Sequence, residues 1–155
     1  MSAPHALTEN AAWSTIIAAV ALLAACAEEP MPLLGSDPIY SMVFFDPGSS
    51  SLSKQSKQKL SDDVLTPLAP IKAVLRPDSP KKICVTGHSD NTGAEATNRE
   101  LGQRRAVVVA KYLVELGVPQ ERIVVSSLGS SKPLVVTPPN TSAVANRRVE
   151  VVFGC

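Results

Sequence analysis

From Tyr40 to Phe153 the apolar residues switch repeatedly between strand-like runs and helical spacing, and this alternation restricts the chain to folds that layer helices on a sheet. YSMVFF, from Tyr40 to Phe45, is rich in aromatic and β-branched residues, and DPGSSS after it supplies a turn. Lys54 to Arg76 carries Leu60, Val64, Leu65, Leu68, Ile71, Val74 and Leu75 at helical spacing, with Pro67 and Pro70 expected to kink or split the helix. KKICVTG, from Lys81 to Gly87, is a second strand. Ala94 to Leu116 is the clearest helix, stopped by Gly117 with Pro119 beyond it. RIVVSS and RRVEVVF supply two more strands, separated by a long proline-containing loop from Leu128 to Asn146. The order β-α-β-α-β-β predicts an α+β, two-layer sandwich, with two helices on one face of a four-stranded mixed sheet.

With 155 residues the chain is long enough for one compact domain and too short for two. A net charge of +1 is too small for a protein that grips nucleic acid through its phosphates. Aromatic residues at 4% leave few platforms for stacking single-stranded bases, so nucleic acid is not an expected partner.

The N-terminal region follows a different logic. Ala11 to Cys26 is a run of small and apolar residues without a charge, followed at once by the polar, proline-broken AEEPMPLLGSDP. A membrane-spanning helix needs about 18 to 20 apolar residues, so this shorter run suits the core of an export signal. Leu23-Ala24-Ala25-Cys26 resembles the lipobox of bacterial lipoproteins, in which the cysteine becomes the lipid-bearing first residue of the mature chain. The expected organisation is a signal peptide over residues 1–25, a lipidated Cys26 with a tether over 26–39, and a globular domain over 40–155. A lipid on Cys26 would make the membrane a partner, and the extended tether would reach at most roughly 45 Å from it. One feature departs from an ordinary export signal, since no Lys or Arg precedes Lys54. The other reading of the segment is an uncleaved apolar tail with Cys26 as an ordinary thiol.

Candidate functional residues cluster after the second strand. Asp90 falls in SDNTG, where Asn91 and Gly93 favour a turn, and the next helix carries Asn98, Leu101 and Arg105 at i, i+3 and i+7 on one face. A carboxylate and a guanidinium facing one pocket suit a zwitterion: Asp90 would accept from an ammonium while Arg105 grips a carboxylate. The same spacing also fits a purely structural role, with Asp90 capping the helix or pairing with Arg105.

The stretch from Val85 to Ile123, VTGHSDNTGAEATNRELGQRRAVVVAKYLVELGVPQERI, together with NRRVEVVF, resembles the OmpA-like peptidoglycan-binding domain family. The resemblance runs from about Tyr40 to Phe153, and LGQRRA is most similar to the family's peptidoglycan-associated lipoproteins. It implies the β-α-β-α-β-β sandwich and non-covalent binding of the diaminopimelate residue of the peptidoglycan stem peptide. Carried over by motif, Asp90 holds the ammonium, Arg105 the carboxylate, and Asn98 belongs to the same pocket. Leu101 is a pocket wall or core. One arginine of NRR lines the site, with Arg147 favoured over Arg148. The resemblance further implies an outer-membrane lipoprotein, its domain in the periplasm, tethering that membrane to the wall, with a Tol-system component as a candidate protein partner. A wall-anchoring subunit of an envelope machine, such as a stator or secretion system, is the alternative. Two departures from the family pattern stand out. Thr97 replaces the usual aromatic before the helix asparagine, and the loop from Asn140 to Asn146 is shorter and lacks the family's charged residues.

Other chemistries find little support. Ser89 sits in G-H-S-D-N, which fails the nucleophile-elbow pattern at its last position. Cys84, His88 and Asp90 have no second cysteine/histidine pair to complete a metal site, and Glu95 and Glu100 belong to a solvated helix face. The expectation is a binding protein with no catalytic activity, cofactor or metal. Cys84 alternates with Ile83 and Val85 on a strand and reads as a buried thiol, unpaired with Cys155, although an exported chain permits a disulfide.

Overall fold

A computed structural model describes residues 39–66, 72, 75–76 and 78–155. The expected signal segment 1–25, Cys26 with the tether as far as residue 38, and the bend at Pro67 and Pro70 lie outside the described residues. Among the described residues, four strands and two long helices follow in the expected order. They are β1 (Ile39–Phe44), α1 (Lys54–Leu65), β2 (Ile83–His88), α2 (Glu95–Glu115), β3 (Ile123–Gly129) and β4 (Arg148–Phe153). Single turns of 3-10 helix at Gln120–Arg122 and Val144–Asn146 precede the last two strands.

The helix ends follow local chemistry. Ser53 caps α1, its Oγ accepting from the Ser56 N–H at 3.0 Å. The helix ends at Leu65, where the split expected at Pro67 falls, because a proline disfavours helical geometry in the residue before it: Thr66 has φ −59° and ψ 135°. At the end of α2, Gly117 takes φ 94° and its N–H bonds Val114 O at 2.9 Å, while the Val118 N–H reaches back to Leu113 O at 3.0 Å. This double closure satisfies carbonyls that a helix end leaves open, and it turns the buried Val118 into the core.

The sheet order is β1-β4-β2-β3. β4 runs antiparallel to both β1 and β2, and β2 pairs parallel with β3, joined by α2 as the crossover. Val43, Ile83, Val85, Val149, Val151 and Phe153 form one sheet face and pack against Leu60 and Val64 of α1 and Ala106, Val109 and Leu113 of α2. The backbones of β2 and α2 nearly touch. A Cβ added to Gly87 would lie 1.9 Å from Gly102 O, so side chains are excluded from this crossing. The contact sets the end of β2 and the residues after it beside the first half of α2.

The two cysteines do not behave as expected. Cys84 and Cys155 form a disulfide, with a Cα–Cα separation of 5.9 Å. Strand alternation turns Cys84 away from the core face that holds Ile83 and Val85. The chain beyond β4 then returns to β2, because Lys82 O accepts from the N–H groups of both Gly154 and Cys155, at 2.9 and 3.2 Å. That return brings the terminal thiol to its partner.

Candidate functional site

The C-terminal end of β2, the first three turns of α2, the β1–α1 loop and the start of β4 contribute a set of buried polar groups. Asp90, Asn98, Arg105 and Arg147 are each between 0% and 6% exposed. Burying so many polar groups is tolerable only if nearly all are paired, so their partners define what the site can do.

Arg105 is the most committed. Its Nε donates to Ser49 O at 2.8 Å, Nη1 to His88 O at 2.9 Å and Nη2 to Asp46 O at 3.0 Å. The guanidinium also lies over the Phe45 ring, 5.2 Å from its centroid. One cation thus ties the β1–α1 loop to the end of β2. Burial pushes its pKa down to about 10; the charge of Asp90 opposes that shift while Arg147 and Arg104 add to it, and the group stays cationic at neutral pH. Three of its five N–H donors are spent on backbone carbonyls, so in this fold it holds loops.

Asp90 pairs with Arg147 rather than with Arg105. Its Oδ2 accepts from Arg147 Nη1 at 3.2 Å and from Ser142 Oγ at 2.8 Å, and its Oδ1 accepts from Thr92 Oγ1 at 2.6 Å. Burial raises the carboxyl's pKa, but the hydrogen bonds from Thr92, Ser142 and Arg147, with the charge of Arg147, outweigh it and hold the group below its ordinary value. The helix-capping role is not taken, since Ala94 occupies the N-cap of α2 and no side chain caps it. Arg147 Nε meanwhile donates to Phe45 O at 3.0 Å.

Alternation on β4 separates the two arginines that follow Asn146. Arg148 turns to the opposite sheet face, where its Nη2 bonds Glu150 Oε1 at 2.6 Å and its Nε bonds the same oxygen at 2.8 Å. Of the pair, Arg147 is therefore the one gathered with Asp90. Leu101 is half-buried and stands outside the hydrophobic core cluster. Glu95 and Glu100 lie on the solvated side of α2, within 3.7 Å of Arg99 and Arg104 respectively.

Asn98 and Ser89 are among the buried residues with a donor that lacks a mate. Asn98 Nδ2 and Ser89 Oγ have no hydrogen-bond partner among the described residues, although Asn98 is 4% and Ser89 1% exposed. Within the buried set, two guanidiniums face one carboxylate, an excess of one positive charge. Unfilled donors together with buried excess positive charge suit an incoming carboxylate. A groove of about 560 Å³ lies instead between the second half of α2 and β3, lined by Val107, Ala110, Val114, Ile123 and Val125 with Lys111 and Glu115. It holds none of these buried charges. Chemistry rather than volume marks the site.

Asn91, Thr92 and Ser142 were not singled out from the sequence. Asn91 and Thr92 sit in the recognised turn, and a side-chain role for such residues is a general property of turns. Ser142 lies 52 residues from its partner Asp90, and no local pattern announces the contact.

Residues 44–147 match the model of the OmpA family. The chain belongs to that family. It is 32% identical over 111 residues to the peptidoglycan-associated lipoprotein of Brucella melitensis, a match covering 72% of this chain and 61% of that protein. The peptidoglycan-binding protein ArfA of Mycobacterium tuberculosis is 40% identical over 71 residues, 46% of this chain and 22% of its own length. The chain thus spans about a fifth of the mycobacterial relative and under two thirds of the Brucella one. Among solved structures, the peptidoglycan-associated lipoprotein of Burkholderia pseudomallei superimposes with a TM-score of 0.61 at 29% identity, covering 72% of this chain and 88% of that one. Two helices on a four-stranded mixed sheet is thus the architecture of OmpA-like domains, as the order of elements predicts.

Proposed function

We propose that this OmpA-family domain binds peptidoglycan without covalent chemistry, by gripping the diaminopimelate residue of the stem peptide. The observation that carries the reading is the buried excess of positive charge around Asp90, with the unpartnered Asn98 Nδ2 two turns from Arg105 along the same buried face of the helix. A free carboxylate of diaminopimelate supplies the missing acceptor and charge, and its ammonium suits Asp90. The names of the Brucella, Burkholderia and mycobacterial relatives point to the same polymer. In this reading the chain is exported and lipidated at Cys26, and it tethers the outer membrane to the wall from the periplasmic side. Catalysis is not part of the reading, and purified sacculi incubated with the chain should release no muropeptides.

Calorimetry with the full chain in detergent tests it, using meso-diaminopimelate and lysine each blocked by acetyl and amide groups at one α-centre, so that diaminopimelate keeps a free ammonium and carboxylate while lysine keeps only its side-chain ammonium. Diaminopimelate should bind at least about tenfold more tightly, because lysine leaves the donors at Asn98 unfilled. Asp90→Asn, with folding checked by circular dichroism, should weaken binding by about 2 kcal/mol or more by removing the ammonium's counter-charge. Equal affinity for the two amino acids, or no effect of Asp90→Asn, would refute the proposal.

A further inference from the structure

The loop between β3 and β4 does more than connect strands. Its base is closed by Asn146, whose side chain accepts from the Val135 N–H at 2.9 Å and donates to Val135 O at 2.8 Å. Its tip, residues 137–142, turns through Asn140 at φ 55°, a conformation that asparagine tolerates better than most residues. Two consecutive residues after β2 then hold that tip down. Asn91 Nδ2 donates to Pro138 O at 2.8 Å and to Thr137 O at 3.4 Å, and its Oδ1 accepts from the Thr141 N–H at 2.9 Å. Ser142 Oγ donates to Asp90 Oδ2 at 2.8 Å and accepts from Arg147 Nη1 at 2.7 Å, so one hydroxyl bridges the site's anion and one of its cations.

Little apolar burial backs these bonds. Leu134, Val135, Val136 and Val144 are exposed, Val136 by 89%. A segment held by a few polar contacts opens at low free-energy cost and does so as a unit. Asp90, beneath it, is only 6% exposed. A ligand ammonium that is to reach Asp90 Oδ2 must therefore compete with Ser142 for the same oxygen.

Building on the diaminopimelate reading, we propose that Ser142 sets the affinity of the site. Its hydroxyl, with Asn91 as the second latch, keeps residues 137–142 closed as a strap over Asp90, and the strap must lift before ligand binds. The closed population reduces apparent affinity by the fraction of molecules in which the site is shut.

The test uses the full chain in detergent with Ser142→Ala, Asn91→Ala and the hydroxyl-retaining Ser142→Thr, reading backbone hydrogen exchange and calorimetry with free meso-diaminopimelate. Ser142→Ala should speed exchange of the Thr141 amide, which Ser142 does not touch, because the two latches open together. It should also tighten diaminopimelate binding about three- to tenfold, with Asn91→Ala moving affinity the same way and Ser142→Thr restoring wild-type behaviour. Unchanged Thr141 exchange in Ser142→Ala would overturn the strap. Weaker ligand binding would make Ser142 a ligand contact and overturn its role as competitor. If no variant and no wild-type chain binds diaminopimelate, the ligand reading and the competition both fall, while the exchange result still decides whether the strap opens as a unit.

Discussion

His88 shows how one buried side chain couples this fold to pH. It is 1% exposed, and its Nε2 lies 3.7 Å from Glu150 Oε2 on the sheet face opposite the helices. Burial lowers its pKa and the Arg148 charge lowers it further, while Glu150 and the backbone of Lys132 oppose the shift without cancelling it. A histidine with a depressed folded pKa takes up its proton first in the unfolded chain. Stability is then complete above the unfolded value of about 6.5 and falls as pH drops below it. The melting temperature should accordingly decline between pH 7 and pH 5, and His88→Gln should flatten that decline; an identical slope in the variant would remove His88 as the cause. Asp90 acts in a different window. Its depressed pKa contributes stability that is present above the ordinary aspartate value of about 3.9 and is lost only as pH falls through the lower folded value. The sequence pointed to Asp90 by its place in the turn after β2, and to Asn98 and Arg105 by their helical spacing beyond it. It could not show that Arg147 would take the carboxylate while Arg105 bonded the loop carbonyls of Asp46 and Ser49, since these contacts join residues 56 to 59 positions apart.

At the level of elements, the crossing of β2 and α2 is the most sensitive point. A methyl group at Gly87 would meet the carbonyl of Gly102, and one at Gly102 would lie 2.4 Å from Ser127 Oγ. Backbone cannot rotate out of the way as a side chain can. Gly87→Ala should therefore cost about 3 kcal/mol or more in a urea titration, at or beyond the upper end of ordinary overpacking. A loss below about 1 kcal/mol would mean that the helix shifts freely on the sheet. Helix α2 was legible almost to the residue, because Gly117 and Pro119 end it by backbone geometry that depends on neighbours in sequence. In helix α1 the apolar spacing ran on past Thr66, and it was Pro67, expected to kink or split the helix, that marked where it ends, one residue before the ring.

Over the whole molecule, the Cys84–Cys155 disulfide fastens the end of the chain to the middle of the sheet across 71 positions. Closing a loop of that size in the unfolded chain corresponds to roughly 4 kcal/mol in the chain-entropy account. Paired Cys84→Ser and Cys155→Ser substitutions should lower the denaturation midpoint accordingly, and reductant should shift the wild type but not the double variant. A wild type insensitive to reductant would show that the bond adds nothing to stability. A disulfide also suits an oxidising compartment, which supports the proposed export of the chain.

The order of strands and helices, the two-layer class and the family were all readable along the chain, because hydrophobic period, turns and motif spacing are properties of adjacent residues. The disulfide, the exchange of partners around Asp90, and the hold of Asn91 and Ser142 on the β3–β4 loop were decided only in three dimensions. Each joins residues about 46 to 71 positions apart, brought together when the sheet closes and α2 settles on β2.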